Sequence, residues 1–193
     1  MKIESGSVEK TAAVREIFTR IAPRYDLMNR LMTGWQDTAW RREAISRAHL
    51  APGARILDLG AGTGDLSREA LRQQPDSFVV AADFTLEMMR VGKSNSNTVP
   101  HWLAADALRL PFPDNQFDAV VSGFLLRNVR DVPQALREQR RVLRPCGWIA
   151  ALDTTRLGIS LLTPLIRLHM RYVIPLLGRL VTGHRDAYEY LPN

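Results

Sequence analysis

The sequence lacks the features that mark secreted, metal-binding and membrane-spanning proteins. Its 193 residues contain one cysteine, Cys146, which excludes a disulfide framework and indicates a reducing compartment. The four histidines are scattered without the spacing of metal ligands, so we predict no metal site. No uninterrupted apolar run reaches the roughly 18 residues of a membrane span, and residues 1–10 have no apolar signal core. We therefore expect a soluble, cytoplasmic protein.

Positive charge is in modest excess. The chain has 26 Lys and Arg residues against 20 Asp and Glu residues, a formal net charge of +6, which favours anionic surfaces. No run of basic residues is interleaved with aromatic ones, so nucleic-acid binding is not predicted. A hydrophobic content of 46% and a charged content of 24% are typical of globular domains. The length suits one domain, which we place over residues 1–193.

Residues 55–65 carry the motif around which we expect the fold to be organised. They read R-I-L-D-L-G-A-G-T-G-D, a strand-like run that enters three glycines and then a helical pattern. Glycines let the backbone turn and approach a ligand, and the helix start offers unpaired N–H groups to it. A nicotinamide dinucleotide fingerprint needs a glycine where Asp65 stands. The motif favours a different nucleotide-like cofactor, with an ordinary turn between strand and helix as the plain alternative.

Two acidic residues strengthen this interpretation. Asp58 lies at the end of the first strand-like run, and Asp83 ends the next one, residues 78–82. An acid at the tip of the second strand is where the hydroxyls of an adenosine ribose are held in nucleotide-binding folds. A carboxylate accepts two hydrogen bonds from a vicinal diol, so we predict that Asp83 binds a ribose.

Strand-like and helix-like segments alternate through the rest of the central region. We predict strands at 56–59, 78–82, 101–104, 119–122 and 148–152, and helices at 63–74, 86–94 and 131–143. This alternation is typical of an α/β fold with a mostly parallel sheet and helices on both faces. The cofactor-binding core is placed at 54–153. In the last helix we expect Leu136, Gln139, Val142 and Leu143 to face inward.

Residues 8–50 are predicted to form a helical cap before the first strand. Apolar residues recur at helical spacing in segments 8–20, 25–32 and 36–49. We interpret Met28, Met32, Trp35 and Trp40 as core residues of this cap rather than as a groove for an apolar tail, because apolar residues at helical spacing usually pack.

Several motifs resemble one enzyme family. The run D-L-G-A-G-T-G with its downstream acid resembles the first motif of class I S-adenosylmethionine-dependent methyltransferases. The segments F-T-R-I-A-P-R-Y-D-L-M-N, L-P-F-P-D-N-Q-F-D and L-R-N-V resemble the ubiquinone and menaquinone biosynthesis C-methyltransferases, including demethylmenaquinone methyltransferase. The resemblance extends from about Val14 to Leu191 and implies a Rossmann-like class I methyltransferase fold.

The resemblance also implies a site for S-adenosyl-L-methionine. The residues that it places around this cofactor are Asp58, Gly60, Gly62, Thr63, Gly64, Asp83, Asp106, Ala107 and Gly123. The glycines would admit the methionine part, Asp106 would bind the adenine amino group and Ala107 would offer its N–H. The family usually has serine where Gly123 stands, in an S-F-G-L-R-N run, whereas this chain reads S-G-F-L-L-R-N. Phe124 and Leu125 are therefore expected to reshape the wall that faces the acceptor.

The implied acceptor is a prenylated quinol, either demethylmenaquinol or a ubiquinone precursor. Its ring carbon becomes nucleophilic when a neighbouring hydroxyl loses its proton. We predict Arg127 and Tyr25 as the catalytic residues. Arg127 would stabilise the phenolate or order a water that takes the proton, and Tyr25 would line the pocket with Asp26. The alternatives are an ion pair or helix cap for Arg127, and a helix cap with a packed aromatic ring for Tyr25 and Asp26.

The final segment, residues 156–193, departs from the family. Relatives continue through a further helix and an antiparallel strand pair, which we expect to be missing from a chain that stops at Asn193. Residues 156–181 are apolar and basic, and no acid occurs between Asp153 and Asp186. This composition favours weak contact with the membrane periphery, and an unpaired edge on the last strand favours a homodimer. A cofactor-binding relative without activity and a methyltransferase for another small molecule remain the alternative functions.

Overall fold

A computed structural model describes residues 15–94, 100–153, 168 and 171–172. Residues 15–21 are helical and lead into a 3-10 turn at Ala22–Arg24. The helices that follow are α1 (Tyr25–Thr33), α2 (Gln36–Ser46), α3 (Asp65–Gln73), α4 (Leu86–Ser94) and α5 (Val132–Val142). The strands are β1 (Arg55–Leu59), β2 (Phe78–Asp83), β3 (His101–Ala104), β4 (Phe117–Gly123) and β5 (Leu143–Leu152). The predicted helix at 8–20 lies partly outside the described residues.

The five strands form one parallel sheet in the order β3-β2-β1-β4-β5. This confirms the predicted α/β class. Strand β1 is central and pairs Asp58 with Ala81 on one side and with Val121 on the other. Parallel strands end at the same edge of a sheet, so the glycine loop after β1, the tip of β2 and the end of β4 come together there.

Each face of the sheet is covered by its own apolar cluster. Leu57 and Leu59 of β1 point into a cluster with Phe117 and Val142, whereas Ile56, one position before Leu57, joins a cluster with Ile45. This alternation follows from the two-residue period of a strand. Because Ile45 belongs to α2, the second helix of the cap packs on the sheet itself, in the same layer as α3.

Several element boundaries differ from those predicted. Helix α2 ends at Ser46 rather than His49: residues 47–48 form a turn, and His49 after it has a left-handed φ of 47°. Helix α3 begins at Asp65, since Gly64 before it has a φ of 87°. Strand β5 begins at Leu143, directly after α5 and five residues earlier than the sequence pattern indicated. The sequence patterns therefore located each element correctly, but they predicted only the second half of β5.

The prediction that both cap tryptophans belong to the core was wrong. Trp35 is 58% exposed and Trp40 is 40% exposed, whereas Met28 is fully buried. The buried face of α2 is instead formed by Asp37, Arg41 and Ile45, spaced four residues apart. Polar side chains occupy the inner face because they pair with one another there, which leaves the tryptophans on the outer side.

Leu136 of α5 is a second exception. It is exposed, and the inward positions of that helix are taken by Ala135, Gln139 and Val142. Asp131 caps this helix by accepting a hydrogen bond from the backbone N–H of Gln134 at 2.9 Å. The cap fixes the start of the helix and its rotation about its axis.

Strand β5 lies at one edge of the sheet within the described part of the chain. Its residues Trp148 and Ile149 are partly exposed there. An open strand edge can pair with another chain, and the homodimer stays a prediction. None of the helices in the described ranges has the length and apolar character needed to cross a membrane.

Candidate active site

A cavity of about 540 Å³ opens at the carboxyl edge of the sheet. This size lies within the range of about 300–1,000 Å³ that is usual for small-molecule sites. Six of the nine residues predicted to bind the cofactor line it, namely Gly60, Gly62, Asp83, Asp106, Ala107 and Gly123. The fold thus brings residues from four separate stretches of sequence to one concave surface.

The glycine loop is held in a left-handed conformation. Gly60, Gly62 and Gly64 have φ values of 71°, 59° and 87°. The N–H groups of Gly60 and Ala61 donate to the carbonyl oxygen of Ala82 at 2.8 and 3.1 Å. A Cβ on Gly60 would lie 2.8 Å from the Leu125 side chain, so a larger residue would clash as well as strain the turn.

Asp83 both lines the cavity and fixes the glycine loop. One carboxylate oxygen accepts from the N–H of Gly62 and the other from the N–H of Thr85, each at 2.7 Å. Burial raises the pKa of Asp83, and the hydrogen bonds to its charged form act in the opposite direction. Each carboxylate oxygen can accept a further bond, so the arrangement is compatible with the predicted ribose contact.

Asp58 lies beneath the glycine loop rather than on the cavity wall. One of its oxygens accepts from the N–H and the hydroxyl of Ser67, at 2.9 and 2.7 Å, and so caps the first turn of α3. The side chain is fully buried, and burial raises the pKa of Asp58 to about 7. Its other oxygen has no hydrogen-bond partner among the described residues, which favours a proton on it.

The parent should become less stable as the pH rises from mildly acidic to neutral, because buried Asp58 must then ionise. We predict that Asp58→Asn reduces this fall in the free energy of unfolding. The raised pKa means that the protonated carboxyl favours the fold. Its contribution is therefore fully present below about pH 3.8 and is lost as the pH rises through about 7. Asparagine carries no charge and keeps an acceptor for Ser67. Chemical denaturation above pH 7 should find the variant more stable than the parent by about 2–4 kcal/mol.

The exposed residue Asp76 offers the control for this experiment. Asp76→Asn removes a carboxyl from the surface rather than from the core, so its denaturation profile is the reference for the Asp58→Asn profile. If the Asp58→Asn profile instead ran parallel to that of the parent, the ionisation of Asp58 would not be coupled to folding in the way its burial implies.

Thr63 ties the glycine loop to the cap. It is buried and does not line the cavity, and its hydroxyl donates to the carboxylate of Asp26 at 2.5 Å. Burial raises the pKa of Asp26, and the nearby charge of Asp65 adds to that effect. The hydroxyl of Thr63, predicted to contact the cofactor, thus bonds to Asp26 of α1 instead. This bond joins the glycine loop to the segment Y-D-L-M-N.

A network of ion pairs lies behind the loop and was not predicted from the sequence. Asp65 pairs with Arg30 at 2.9 Å and Arg68 at 2.6 Å, and lies 3.5 Å from Arg41. The fully buried Asp37 pairs with Arg30 and Arg41. Opposite charges lower the pKa of Asp65 against the effect of its burial. The local signals of this network were the spacing of Asp37 and Arg41 by four residues and that of Asp65 and Arg68 by three.

The two predicted catalytic residues occupy different places. Tyr25 lines the cavity, its ring lies edge-on to Phe18 with centroids 5.8 Å apart, and burial raises the pKa of its phenol. Arg127 is next to the lining residue Asn128 but does not itself line the cavity. Its Nε lies 3.9 Å from Asp153, and its guanidinium carbon lies 5.1 Å from the centre of the Phe124 ring. The ion pair considered as an alternative for Arg127 is therefore formed.

No group of three or more potential metal ligands occurs in the portion of the chain that the structure describes. The site is instead built from a glycine loop, buried carboxylates, aromatic rings and arginines.

The sequence places the chain in a family that fits this site. The family model of the ubiE/COQ5 methyltransferase family matches residues 6–193. The chain belongs to this family. It is 40% identical over 185 residues to the ubiquinone/menaquinone biosynthesis C-methyltransferase UbiE of Desulfotalea psychrophila, with 95% of this chain and 75% of the relative covered. It is 41% identical over 180 residues to the demethylmenaquinone methyltransferase of Thermus thermophilus, with 92% and 82% covered.

Solved structures support the same fold. A putative S-adenosyl-L-methionine-dependent methyltransferase from Methanococcus maripaludis superposes with a TM-score of 0.61 over 91% of this chain and 81% of its own, at 23% identity. The YcgJ protein of Bacillus subtilis gives a TM-score of 0.57 at 26% identity, with 74% and 58% covered. The predicted Rossmann-like fold and the methyltransferase class are confirmed. This family and fold imply use of S-adenosyl-L-methionine.

Proposed function

We propose that the chain transfers a methyl group from S-adenosyl-L-methionine to a ring carbon of a prenylated quinol. The observation that carries the proposal is one cavity that joins the glycine loop and Asp83 to the aromatic side chains of Tyr25 and Phe124. Relatives that share about 40% of the sequence are named for C-methylation in ubiquinone and menaquinone biosynthesis or for demethylmenaquinone methylation.

The residues around the loop fit the proposed methyl donor. Gly60 and Gly62 would give the methionine part access to the backbone, Asp83 would accept from the ribose, and Asp106 and Ala107 would hold the adenine; all five residues line the cavity. The donor, when bound, supplies an electrophilic methyl group on a sulfonium. The carboxylate of Asp106 accepts from the N–H of Leu108 at 2.9 Å, which fixes its orientation at the cavity wall.

The chain's contribution to transfer is mainly placement and charge. Bringing a nucleophilic carbon into line with the methyl group, away from water, supplies much of the acceleration of a two-substrate reaction. Tyr25 and Phe124 offer apolar surface for the quinol ring. In our proposal Arg127 stabilises the phenolate form of the quinol or orders the water that takes its proton.

Methyl-labelled donor and a panel of acceptors test this function. Label in prenylated quinols, and not in unrelated phenols, would support it. Label only in other small molecules would favour the alternative acceptor, and donor binding without any transfer would favour a cofactor-binding relative without activity.

We also propose that the enzyme contacts anionic membranes weakly, because its acceptor carries an apolar tail. Most of the segment at 156–181 on which this prediction was based lies outside the described residues; of it the structure describes 168 and 171–172, where Leu168 and Tyr172 are exposed. Support from the described part comes from Arg15 and Arg130 at the cavity and from the exposed residue Phe84, over which Arg15 lies at 5.3 Å. Basic and exposed apolar side chains together suit a lipid interface.

Vesicle co-sedimentation tests the membrane contact. At low salt we expect more protein to sediment with vesicles that contain anionic lipid than with neutral vesicles, and we expect salt to remove the difference. No binding at low salt, or equal binding to both kinds of vesicle, would contradict the electrostatic contact.

A further inference from the structure

Phe124 has a backbone conformation that is unusual for a large side chain. Its φ of 57° lies in the left-handed region, where a bulky residue is a true outlier that persists only when its surroundings enforce it. Two hydrogen bonds do so here. The N–H of Phe124 donates to the carbonyl oxygen of Leu152 at 2.7 Å, and its own carbonyl accepts from the Asn128 side chain at 2.8 Å. The conformation is therefore held from β5 and from the L-R-N-V segment.

Apolar burial does not explain this position. Within the described residues, Phe124 belongs to none of the buried apolar clusters, although Leu125 packs against one of them. The residue lines the cavity instead. Strained residues concentrate at functional sites, where the strain places a side chain that a relaxed backbone would direct elsewhere.

The Phe124 ring lies close to two arginines. The guanidinium carbons of Arg127 and Arg41 are 5.1 and 5.9 Å from its centre, within the range of cation–π attraction. Arg41 is buried and paired with Asp37, and its Nε lies 3.5 Å from Asp65. The ring thus connects the ion-pair network behind the glycine loop with Arg127.

Asp153 is a second contact of Arg127. One carboxylate oxygen accepts from the backbone N–H of Arg127 at 3.3 Å, and the other lies 3.9 Å from its Nε. Asp153 directly follows β5, whose Leu152 carbonyl pins Phe124. The Phe124 backbone and the Asp153 carboxylate are therefore both anchored at the end of β5.

We propose that Phe124 and Asp153 are positioning residues that set the Arg127 guanidinium for the acceptor step. The inference rests on the proposed function for its catalytic consequence, but the placement of Arg127 is open to measurement without turnover. The ring current of an aromatic side chain shifts the proton resonances of groups close to its face. The Phe124 ring should therefore shift the Nε–H resonance of Arg127 in an NMR spectrum.

The experiment compares Phe124→Leu, which removes the ring, with Phe124→Tyr, which keeps it. In the leucine variant we expect the Arg127 Nε–H resonance, assigned with Arg127→Lys, to move toward the position of an unshielded arginine. We expect kcat on a prenylated quinol to fall about 5- to 30-fold, the equivalent of 1–2 kcal/mol. Donor affinity by calorimetry should change less than about twofold, and Phe124→Tyr, which keeps the ring, should retain the Arg127 resonance.

Asp153→Asn provides a second variant that leaves the backbone of Phe124 unchanged. It should also lower kcat with little effect on donor affinity. The proposal would be overturned by an unmoved Arg127 resonance in Phe124→Leu, by unchanged kcat in both variants, or by equal losses of kcat, donor affinity and melting temperature. If the parent itself failed to methylate quinols while the resonance shift was lost as expected, the placement of Arg127 would stand and the proposed acceptor would be wrong.

Discussion

Asp83→Ala is expected to weaken binding of S-adenosyl-L-methionine roughly 10- to 150-fold. Loss of hydrogen bonds to a charged group costs about 1.5–3 kcal/mol. In this enzyme the same carboxylate also accepts from the N–H of Gly62 and the N–H of Thr85. Its removal therefore takes away the predicted ribose contact and releases the glycine loop at the same time.

Calorimetric titration of parent and variant with the donor measures this effect. Asp83→Asn removes the charge but keeps one acceptor oxygen, so it retains one of the two backbone hydrogen bonds and should weaken donor binding less than Asp83→Ala. Asp76→Ala, at an exposed site, controls for the loss of an acid. If Asp83→Ala bound the donor as tightly as the parent, the ribose assignment would be wrong.

Arg127→Ala should lower turnover on the order of 100-fold while changing donor affinity little. A positioned donor that stabilises developing negative charge is commonly worth two to three orders of magnitude in kcat. Arg127 is held near the cavity by Phe124 and Asp153 and not by the glycine loop. Its loss should therefore affect the acceptor step and leave the donor site intact.

Steady-state kinetics with varied quinol, together with donor titration, checks this division. Arg140 on the exposed side of α5 gives a matched arginine control, and Arg140→Ala should behave as the parent. A variant of Arg127 that lost donor affinity but kept its rate at saturating donor would refute the acceptor-side role.

Local patterns predicted the parts of the fold that local physics determines. The run from Arg55 to Asp65 contains its own strand, its left-handed turn and its helix start, so β1, the glycine loop and α3 followed from sequence alone. The acid at the tip of β2 was likewise recognisable, because its place after an apolar run puts it at the functional edge of a parallel sheet.

The remaining features depend on contacts between distant residues. Arg30 and Asp65 are 35 positions apart, and the pairing that buries the polar face of α2 left Trp35 and Trp40 outside. Asp58 was grouped with the cofactor residues because of its motif, yet its geometry makes it the cap of α3. The left-handed backbone of Phe124 is imposed by Leu152 and Asn128, and no spacing in the sequence indicates it.

The chemical structure of the reaction product shows most directly whether the enzyme transfers a methyl group to a ring carbon of a prenylated quinol. The enzyme is incubated with carbon-13 methyl-labelled S-adenosyl-L-methionine and a reduced demethylmenaquinone analogue, with Arg127→Ala in parallel. We predict a product that carries one labelled methyl group bonded to a ring carbon, formed much faster by the parent than by the variant. Label on a hydroxyl oxygen, or no label in any quinol from an enzyme that binds the donor, would contradict the account.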